Sequence, residues 1–493
     1  MGSFRWSIIL TPSSVHSIVF TITRYSSIMK GCVISAPMTG SGKTTVTLGL
    51  LETLRKRGLA VQPFKVGPDF IDPGLHEIAA GLPSHNLDGW MFPREANQGL
   101  FVRASEGKDL AIVEGVMGLF DSFDGKSETG STAEMAKWLD LPVILVVDAH
   151  PMARSAAAII RGFQSFDPAV KIMGVILNRV AGEKHYRLIA DAVRDVPILG
   201  WLPADPSIDI PERHLGLFTA KEELTVSRIR AIEEFFEKHI DLQNFTSTFG
   251  RGRRDSQRAG APGEGHRVGP ILRPSPSLEA SPCRARASRP LPEGAGKTRA
   301  KRVALAHDKA FSFYYHANRL ELENAGAEII EFSPLSDAEV PDADLLYIGG
   351  GYPELYRREL EANTQMRTSI RRFIESGRKF YAECGGLMYL AESIDDARMV
   401  GIVPVRIEMT GRLVDFGYCE IRTNSDSILG PRGTTARGHQ FHYSRSTGSG
   451  NGYSVKQGHR EYSEGFIFPN GIASYIHLHF LSNPDLARNM LNS

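Results

Sequence analysis

The chain is poor in cysteine: four among 493 residues (Cys32, Cys283, Cys384, Cys419), with no Cys-x-x-Cys pair. That scatter argues against a disulfide framework or a structural zinc site, and it fits the reducing cytoplasm. No apolar run reaches the roughly 18 residues a membrane-spanning helix needs, so a soluble protein with no membrane partner is expected. Net charge is nearly absent too, at +1, but the balance is uneven. Residues 250–302 hold thirteen Lys/Arg against four Asp/Glu, a surplus of nine that leaves the rest of the chain at about −8. A mildly acidic body argues against nucleic acid as the main partner, because a phosphate backbone needs a basic face. The same stretch has no aromatic residue, seven Pro and eight Gly, so it cannot build a core. Residues 246–302 therefore read as a basic linker, and Gly294–Thr298 within it imitates a phosphate loop without a preceding strand. Acid is missing from the N-terminus, where Glu52 is the first. Residues 1–30, with Arg5, Arg24 and Lys30, only weakly resemble a targeting peptide; a disordered extension or an over-long start is expected.

What remains is long enough for two domains, since single cores stop growing below this length. Apolar runs at Cys32–Ala36, Ala60–Lys65, Leu110–Glu114, Val143–Asp148, Ile172–Asn178 and Ile198–Leu202 read as buried strands. They alternate with helical stretches at Thr44–Arg57, Ala133–Leu139, Ala153–Phe163 and Tyr186–Val193. Such alternation predicts an α/β fold with a mostly parallel sheet covered by helices on both faces, over residues 31–245. A second domain of the same class, residues 303–493, follows from strands at Val303–His307, Glu328–Phe332, Leu345–Ile348 and Lys379–Glu383. Within it, Gly401–Tyr443 has the short alternation of antiparallel strands.

Two motifs carry the chemistry. The first is Ala36-Pro37-Met38-Thr39-Gly40-Ser41-Gly42-Lys43-Thr44-Thr45, between a strand and a helix. Consecutive backbone N–H groups at a helix N-terminus bind phosphate oxygens, the lysine reaches the outer phosphates and the next hydroxyl holds magnesium. Gly40, Gly42, Lys43, Thr44 and Thr45 take these places, with Pro37 where the pattern has its first glycine. Magnesium needs further oxygen ligands. Acids follow two strands, Asp69 and Asp72 in Lys65–Pro73, and Glu114 and Asp121 in Val113–Asp121, at the sheet edge where α/β folds bind ligands. Thr44, Asp69 and Glu114 are the candidate metal residues; Lys65, Asp69, Asp72 and Asp121 the candidate substrate residues. Each acid singly is as well explained as a cap or a turn. Asn178 is placed to bond adenine, or to form an Asn-Arg turn.

The second motif is Tyr381-Ala382-Glu383-Cys384-Gly385-Gly386, a cysteine between a strand and a helix. Such an elbow exposes the sulfur, and helix-end amides favour the reactive thiolate. Gly350 and Gly351, after the strand Leu345–Ile348, can supply oxyanion donors. A base is offered by Ser474–Phe480, where His477 and His479 share a strand face and spacing does not choose between them. His439 and His442 either line a pocket or pack. One site that energises a carboxylate with ATP and another that releases ammonia from glutamine together imply a glutamine-dependent amide-forming ligase.

These motifs, with Gly438–Ser444, carry a resemblance. The first half resembles dethiobiotin-synthetase-like ATPases, and the second is similar to class I glutamine amidotransferases. Their union resembles the cobyrinic acid a,c-diamide synthase family, over residues 31–245 and 303–485; Lys65–Pro73 is its most specific motif. The resemblance implies that Mg-ATP converts two acetate carboxylates of cobyrinic acid into acyl phosphates. Ammonia freed from L-glutamine at Cys384 then displaces phosphate in cobalamin biosynthesis, with His477 as the partner of Cys384. His477-Leu478-His479 replaces the His-Pro-Glu of class I triads, which suggests a dyad. The ring could instead be hydrogenobyrinic acid or nickel-sirohydrochlorin. A regulatory P-loop ATPase is the rival class, though Met38 stands where partition ATPases carry a second lysine. Four-fold amidation as in cobyric acid synthase fits Lys65–Pro73 poorly, and a homodimer is left open.

Overall fold

A computed structural model of the chain describes residues 30–150, 152–208, 223–242 and 299–492. Apart from Lys30 and residues 299–302, the expected N-terminal extension and basic linker lie outside these, as does the loop-like Gly294–Thr298.

In the first lobe the strands are β1 (Gly31–Ser35), β2 (Val61–Val66), β3 (His85–Leu87), β4 (Leu110–Glu114), β5 (Val143–Asp148), β6 (Ile172–Val180) and β7 (Ile198–Pro203). They form one sheet in the order β3-β2-β4-β1-β5-β6-β7, and every pairing is parallel. The helices are α1 (Lys43–Lys56), α2 (Ile71–Ala80), α3 (Arg94–Ser105), α4 (Thr132–Leu139), α5 (Ser155–Phe166), α6 (Glu183–Ala190) and α7 (Glu223–His239). Alternation along β1 assigns the two faces. Cys32 and Ile34 join the core with Val46, Leu50 and Leu54 of α1 and Phe236 of α7. Val33 joins the other, with Phe101, Met135 and Ile160 of α3, α4 and α5. Each such fully buried side chain contributes about 1.5–3 kcal/mol of transfer free energy. Because β1 lies between β4 and β5, the chain leaves it to build opposite sides of the sheet. The crevice at this switch point, beyond the strand carboxyl ends, holds the phosphate-loop motif.

Helices α2, α3 and α7 are structural additions to the elements read from the sequence. Helix α7 buries α1 from outside: Phe236 lies where a Cβ on Gly49 would come within 2.2 Å. Lys56–Glu233 (2.6 Å) and Arg57–Glu237 (2.8 Å) flank that contact.

In the second lobe, β8 (Lys301–Ala306), β9 (Phe311–Phe313), β10 (Ala327–Phe332), β11 (Leu345–Ile348), β12 (Gly350–Gly351) and β13 (Lys379–Glu383) come first in the chain. The main sheet runs β10-β8-β11-β13 and continues through Gly471–Ser474 to Phe466–Phe468, with only the last pair antiparallel. A five-stranded antiparallel sheet includes Asp415–Thr423, Thr435–His442 and His477–Leu478, in line with the alternation seen in the sequence. It shares one face of the main sheet with helices, packing Cys419, Ile421 and Val455 against Val303, Tyr347 and Tyr381.

The lobes share a core. Tyr315, Ala317 and Leu481 of the second lobe belong to the apolar cluster under the first sheet. Beside them the Tyr418 hydroxyl donates to the Asp88 carboxylate at 2.7 Å, and Trp90 stacks on Tyr418 with centroids 4.7 Å apart. Arg437 lies over the Trp90 ring at 5.0 Å and donates to its carbonyl at 2.9 Å. Burial raises the Asp88 carboxyl to about 6, against the opposing pull of the Met91 N–H and Tyr418. Above pH 6 Asp88 is therefore charged and its bond to Tyr418 is charge-assisted. Tyr418→Phe should cost about 1.5–3 kcal/mol at pH 7.5, and about 0.5–1.5 kcal/mol at pH 4.5, where the carboxyl is mostly protonated and the bond neutral. Denaturant melts of both proteins at the two pH values check this; an equal loss at both would contradict a charged Asp88.

Candidate active site

The phosphate-loop motif leaves β1 and turns into α1 through two residues in the left-handed region, Gly40 (φ 80°) and Gly42 (φ 95°). Gly42 is required twice over. Besides its φ, a Cβ there would lie 2.0 Å from Asn178 Nδ2, which donates to the Ser41 carbonyl at 3.0 Å. Asn178 thus braces the loop through its side-chain amide. Arg179, next to it, donates to Gly40 O (2.9 Å) and pairs with Asp148 (2.6 Å). Lys43 Nζ sits on the carbonyls of Met117 (2.6 Å) and Met38 (3.3 Å), so the loop's cation already points at oxygen lone pairs. Thr45 is buried in the first turn of α1.

Thr44 Oγ1 donates to Glu114 Oε1 at 2.8 Å. The same oxygen receives Lys65 Nζ at 2.8 Å, and Glu114 Oε2 faces His76 Nε2 at 2.7 Å. Lys65 also pairs with Asp72 at 2.6 Å. All these side chains but Thr44 are nearly or fully buried. Opposing charge wins over desolvation here: Asp72 and Glu114 hold the Lys65 ammonium well above its usual range, and Lys65 and His76 hold Glu114 below its own. His76 escaped the sequence reading, although Asp72 and His76 stand four apart on α2, the spacing that puts both on one face. Asp69 Oδ1 accepts the N–H groups of Ile71 (2.8 Å) and Asp72 (3.2 Å), so it starts α2. Asp121 is exposed and accepts Gly118 N–H at 2.8 Å. Among the described residues no group of three or more His, Cys, Asp or Glu is arranged to hold a metal ion. Thr44 beside Glu114 nonetheless offers the hydroxyl and hard carboxylate that suit magnesium.

In the second lobe Cys384 follows β13 with φ 47° and ψ −101°, an uncommon conformation for a side-chain-bearing residue, and starts the helix Gly385–Leu390. The close packing of the elbow needs its glycines: a Cβ on Gly386 would meet Ile348 O at 2.2 Å, and one on Gly385 would lie 3.1 Å from Gly351 N. A Cβ on Gly350 would in turn meet His477 Cε1 at 2.3 Å. β12 therefore lies against both the elbow and His477, one of the two histidines between which spacing alone did not choose. His479 instead stacks on Phe92 of the first lobe at 4.4 Å and receives Leu481 N–H at 3.3 Å. Gly349 N–H is committed to Tyr314 at 2.8 Å, which leaves Gly350 and Gly351 as the candidate oxyanion donors.

The expected thiolate is not favoured in this state. Burial pushes the Cys384 thiol well up, Glu354 adds to it, and the Gly385 N–H only partly opposes. The helix behind the elbow is six residues long, too short to do more. Burial likewise holds His477 far below its usual value, with His439 and His442 adding to it. The resting pair is thus neutral thiol and neutral imidazole. His477 Nδ1 is buried with no hydrogen-bond partner among the described residues, so no acid orients the ring. Glu383, the neighbour of the cysteine, accepts Tyr347 (2.9 Å), Tyr381 (2.6 Å) and the Leu478 N–H (2.9 Å), tying the elbow strand to the histidine strand. His439 pairs across the sheet with His477 and stacks on it at 5.1 Å, while His442 stacks on Tyr475 at 4.0 Å.

Comparison with known proteins agrees with this division. Residues 32–218 match the model of the CobQ/CobB/MinD/ParA nucleotide binding domain, and residues 302–485 that of the CobB/CobQ-like glutamine amidotransferase domain. Fold and sites define a nucleotide-binding module joined to a glutamine amidotransferase, the build of a glutamine-dependent amide ligase. The chain belongs to the cobyrinate a,c-diamide synthase family. It is 41% identical to the cobyrinate a,c-diamide synthase of Listeria monocytogenes serotype 4b, covering 92% of this chain and 97% of that one. For the Salmonella typhimurium relative the identity is 39%, covering 93% and 97%; for that of Methanothermobacter thermautotrophicus it is 39%, covering 92% and 97%.

Burial, followed by repulsion from Lys65, brings the Lys43 ammonium down to about 8. Phosphate attracts only the protonated form, so binding must restore the proton lost above that pH. The Kd for ATP should therefore be flat below about pH 8 and rise up to about tenfold per pH unit above it. Titration calorimetry across pH 6.5–9.5 checks this; Lys43→Ala should bind weakly with no such rise.

Proposed function

We propose that this chain amidates the a- and c-acetate carboxylates of cobyrinate, using ATP and L-glutamine, as a cytoplasmic step of cobalamin biosynthesis. The observation that carries the reading is the docking of the two half-sites. Phe70, inside the Lys65–Pro73 motif, lies against His477 of the amidotransferase half with centroids 5.0 Å apart. A carboxylate oxygen is a poor leaving group, and transfer of the γ-phosphoryl group to it, with loss of ADP, makes an acyl phosphate that ammonia can open. Lys43 and the loop amides at Gly40 and Gly42 hold the phosphates; Lys65, Asp69, Asp72 and Asp121 face the substrate. Thr44, Glu114 and Asp69 are the residues that would hold magnesium, and the ion would supply neutralisation of phosphate charge.

At the other site the Cys384 sulfur attacks the glutamine side-chain carbonyl while its proton passes to His477. Gly350 and Gly351 N–H groups stabilise the oxyanion. His477 returns the proton to the departing nitrogen, ammonia leaves, and water releases glutamate from the thioester. A neutral thiol–imidazole pair suits this order, since charge separates only once glutamine is in place. Ammonia delivered along a buried path stays unprotonated and at high effective concentration, which an amine in bulk water at pH 7 does not. Three free cysteines among the described residues fit a reducing compartment.

Cys384→Ser should abolish glutamine-supported amide formation, by about 10³-fold or more, as expected for loss of a covalent nucleophile. Amidation supported by ammonium chloride should persist within a few-fold. Mass spectrometry of the corrin product with cobyrinate, ATP and each nitrogen source measures both. Loss of the ammonium-supported reaction as well would contradict two separable sites.

A further inference from the structure

Phe70 occupies an unusual place between the two half-sites. Its backbone belongs to the nucleotide half: Asp69 caps the helix start beside it, Asn86 Nδ2 donates to Gly67 O and Asp69 O (both 2.8 Å), and Asp72 pairs with Lys65. Its ring belongs to the other half. It stacks on Phe313 (5.2 Å, 9° between planes) and packs against Tyr315 (4.7 Å), His439 (5.4 Å) and His477 (5.0 Å).

His477 has unusual surroundings too. With Nδ1 buried and unpartnered, its orientation rests on packing, against His439, Gly350 and Phe70. A base fixed by a hydrogen bond keeps its aim whatever its neighbours do. One fixed by packing follows the packing element, and here part of that element comes from the other lobe. We propose that Phe70 is a positioning residue for His477, through which the state of the Asp69–Asp72 segment governs glutamine hydrolysis. A carboxylate and a phosphoryl group arriving at Lys65 compete with Asp72 for its ammonium, so substrate binding acts on the stretch that carries Phe70. Glutamine would then be consumed when ammonia has a destination. This rests on the two-site reading above.

The test uses the full-length protein and measures glutamate, ADP and amide. Glutamine is supplied alone or with ATP and cobyrinate, and ammonium chloride replaces it in a third arm. ATP with cobyrinate should stimulate wild-type glutamate release by about tenfold or more, as sub-ångström repositioning of a base can. Phe70→Ala should cut that stimulation to below about twofold and raise the glutamate-to-amide ratio above one, with ammonium-supported amidation kept within about threefold. Phe70→Tyr, which keeps the ring, should restore stimulation; Phe70→Leu, which keeps bulk but not the ring, should behave as Phe70→Ala and serves if that variant does not fold. Wild-type stimulation in Phe70→Ala or Phe70→Leu overturns the inference, as does an equal fall of ammonium- and glutamine-supported amidation in folded variants. Absence of ammonium-supported amidation in the wild type would instead refute the two-site reading.

Discussion

Glu114 ends β4 with its carboxylate fully buried, and a lone charge there would cost several kcal/mol. Three groups from three places compensate it: Thr44 from the phosphate loop, Lys65 from β2 and His76 from α2. One acid therefore locks the nucleotide loop to the acidic motif that follows β2. Asp72, four residues before His76, closes the arrangement through Lys65. Removing any one partner strands the remaining charges, so the cluster tolerates rearrangement only as a unit. The cluster thus joins the phosphate loop to the first turn of α2 by direct contacts.

From there the constraint reaches the second lobe. Helix α2 begins at the point where Phe70 enters a nest of rings from the other half. Further along the boundary Phe92 lies on His479, and Trp90 is held between Tyr418 and Arg437. The contact is aromatic at its centre, with the Arg103–Glu321 ion pair and a His316–Glu77 contact at its partly exposed edge. Exposed pairs of that kind contribute little. Ring packing and the buried Tyr418–Asp88 bond hold the halves in register.

The elements most legible in the sequence are those whose signal is local. β4, β5, β11 and β13 begin and end where their apolar runs do, because a strand buried on both faces needs apolar residues throughout. The phosphate loop and the cysteine elbow were legible because glycine is forced by backbone conformation and by near contact. α3 and α7 were not, their apolar positions being diluted by Arg, Glu and Gln on exposed faces. The role of His76 depends on a hydrogen bond between residues 38 apart, and that of Phe70 on rings more than 240 residues downstream. The thiolate expectation failed for a related reason. A motif announces the helix behind the cysteine but not the burial and the Glu354 charge that outweigh its amides.

Asn178 fills the space that a side chain at residue 42 would need, and Arg179 tethers Gly40 from the same strand end. The walls of the nucleotide cradle are thus built by the protein's own amide and guanidinium groups before any phosphate arrives. Shape acquired during folding need not be acquired again at each encounter, so capture and departure of the nucleotide avoid the entropy of moulding a slack loop. Under the proposed function, two amidations on one ring, each using a triphosphate, would profit from a socket that is ready between visits.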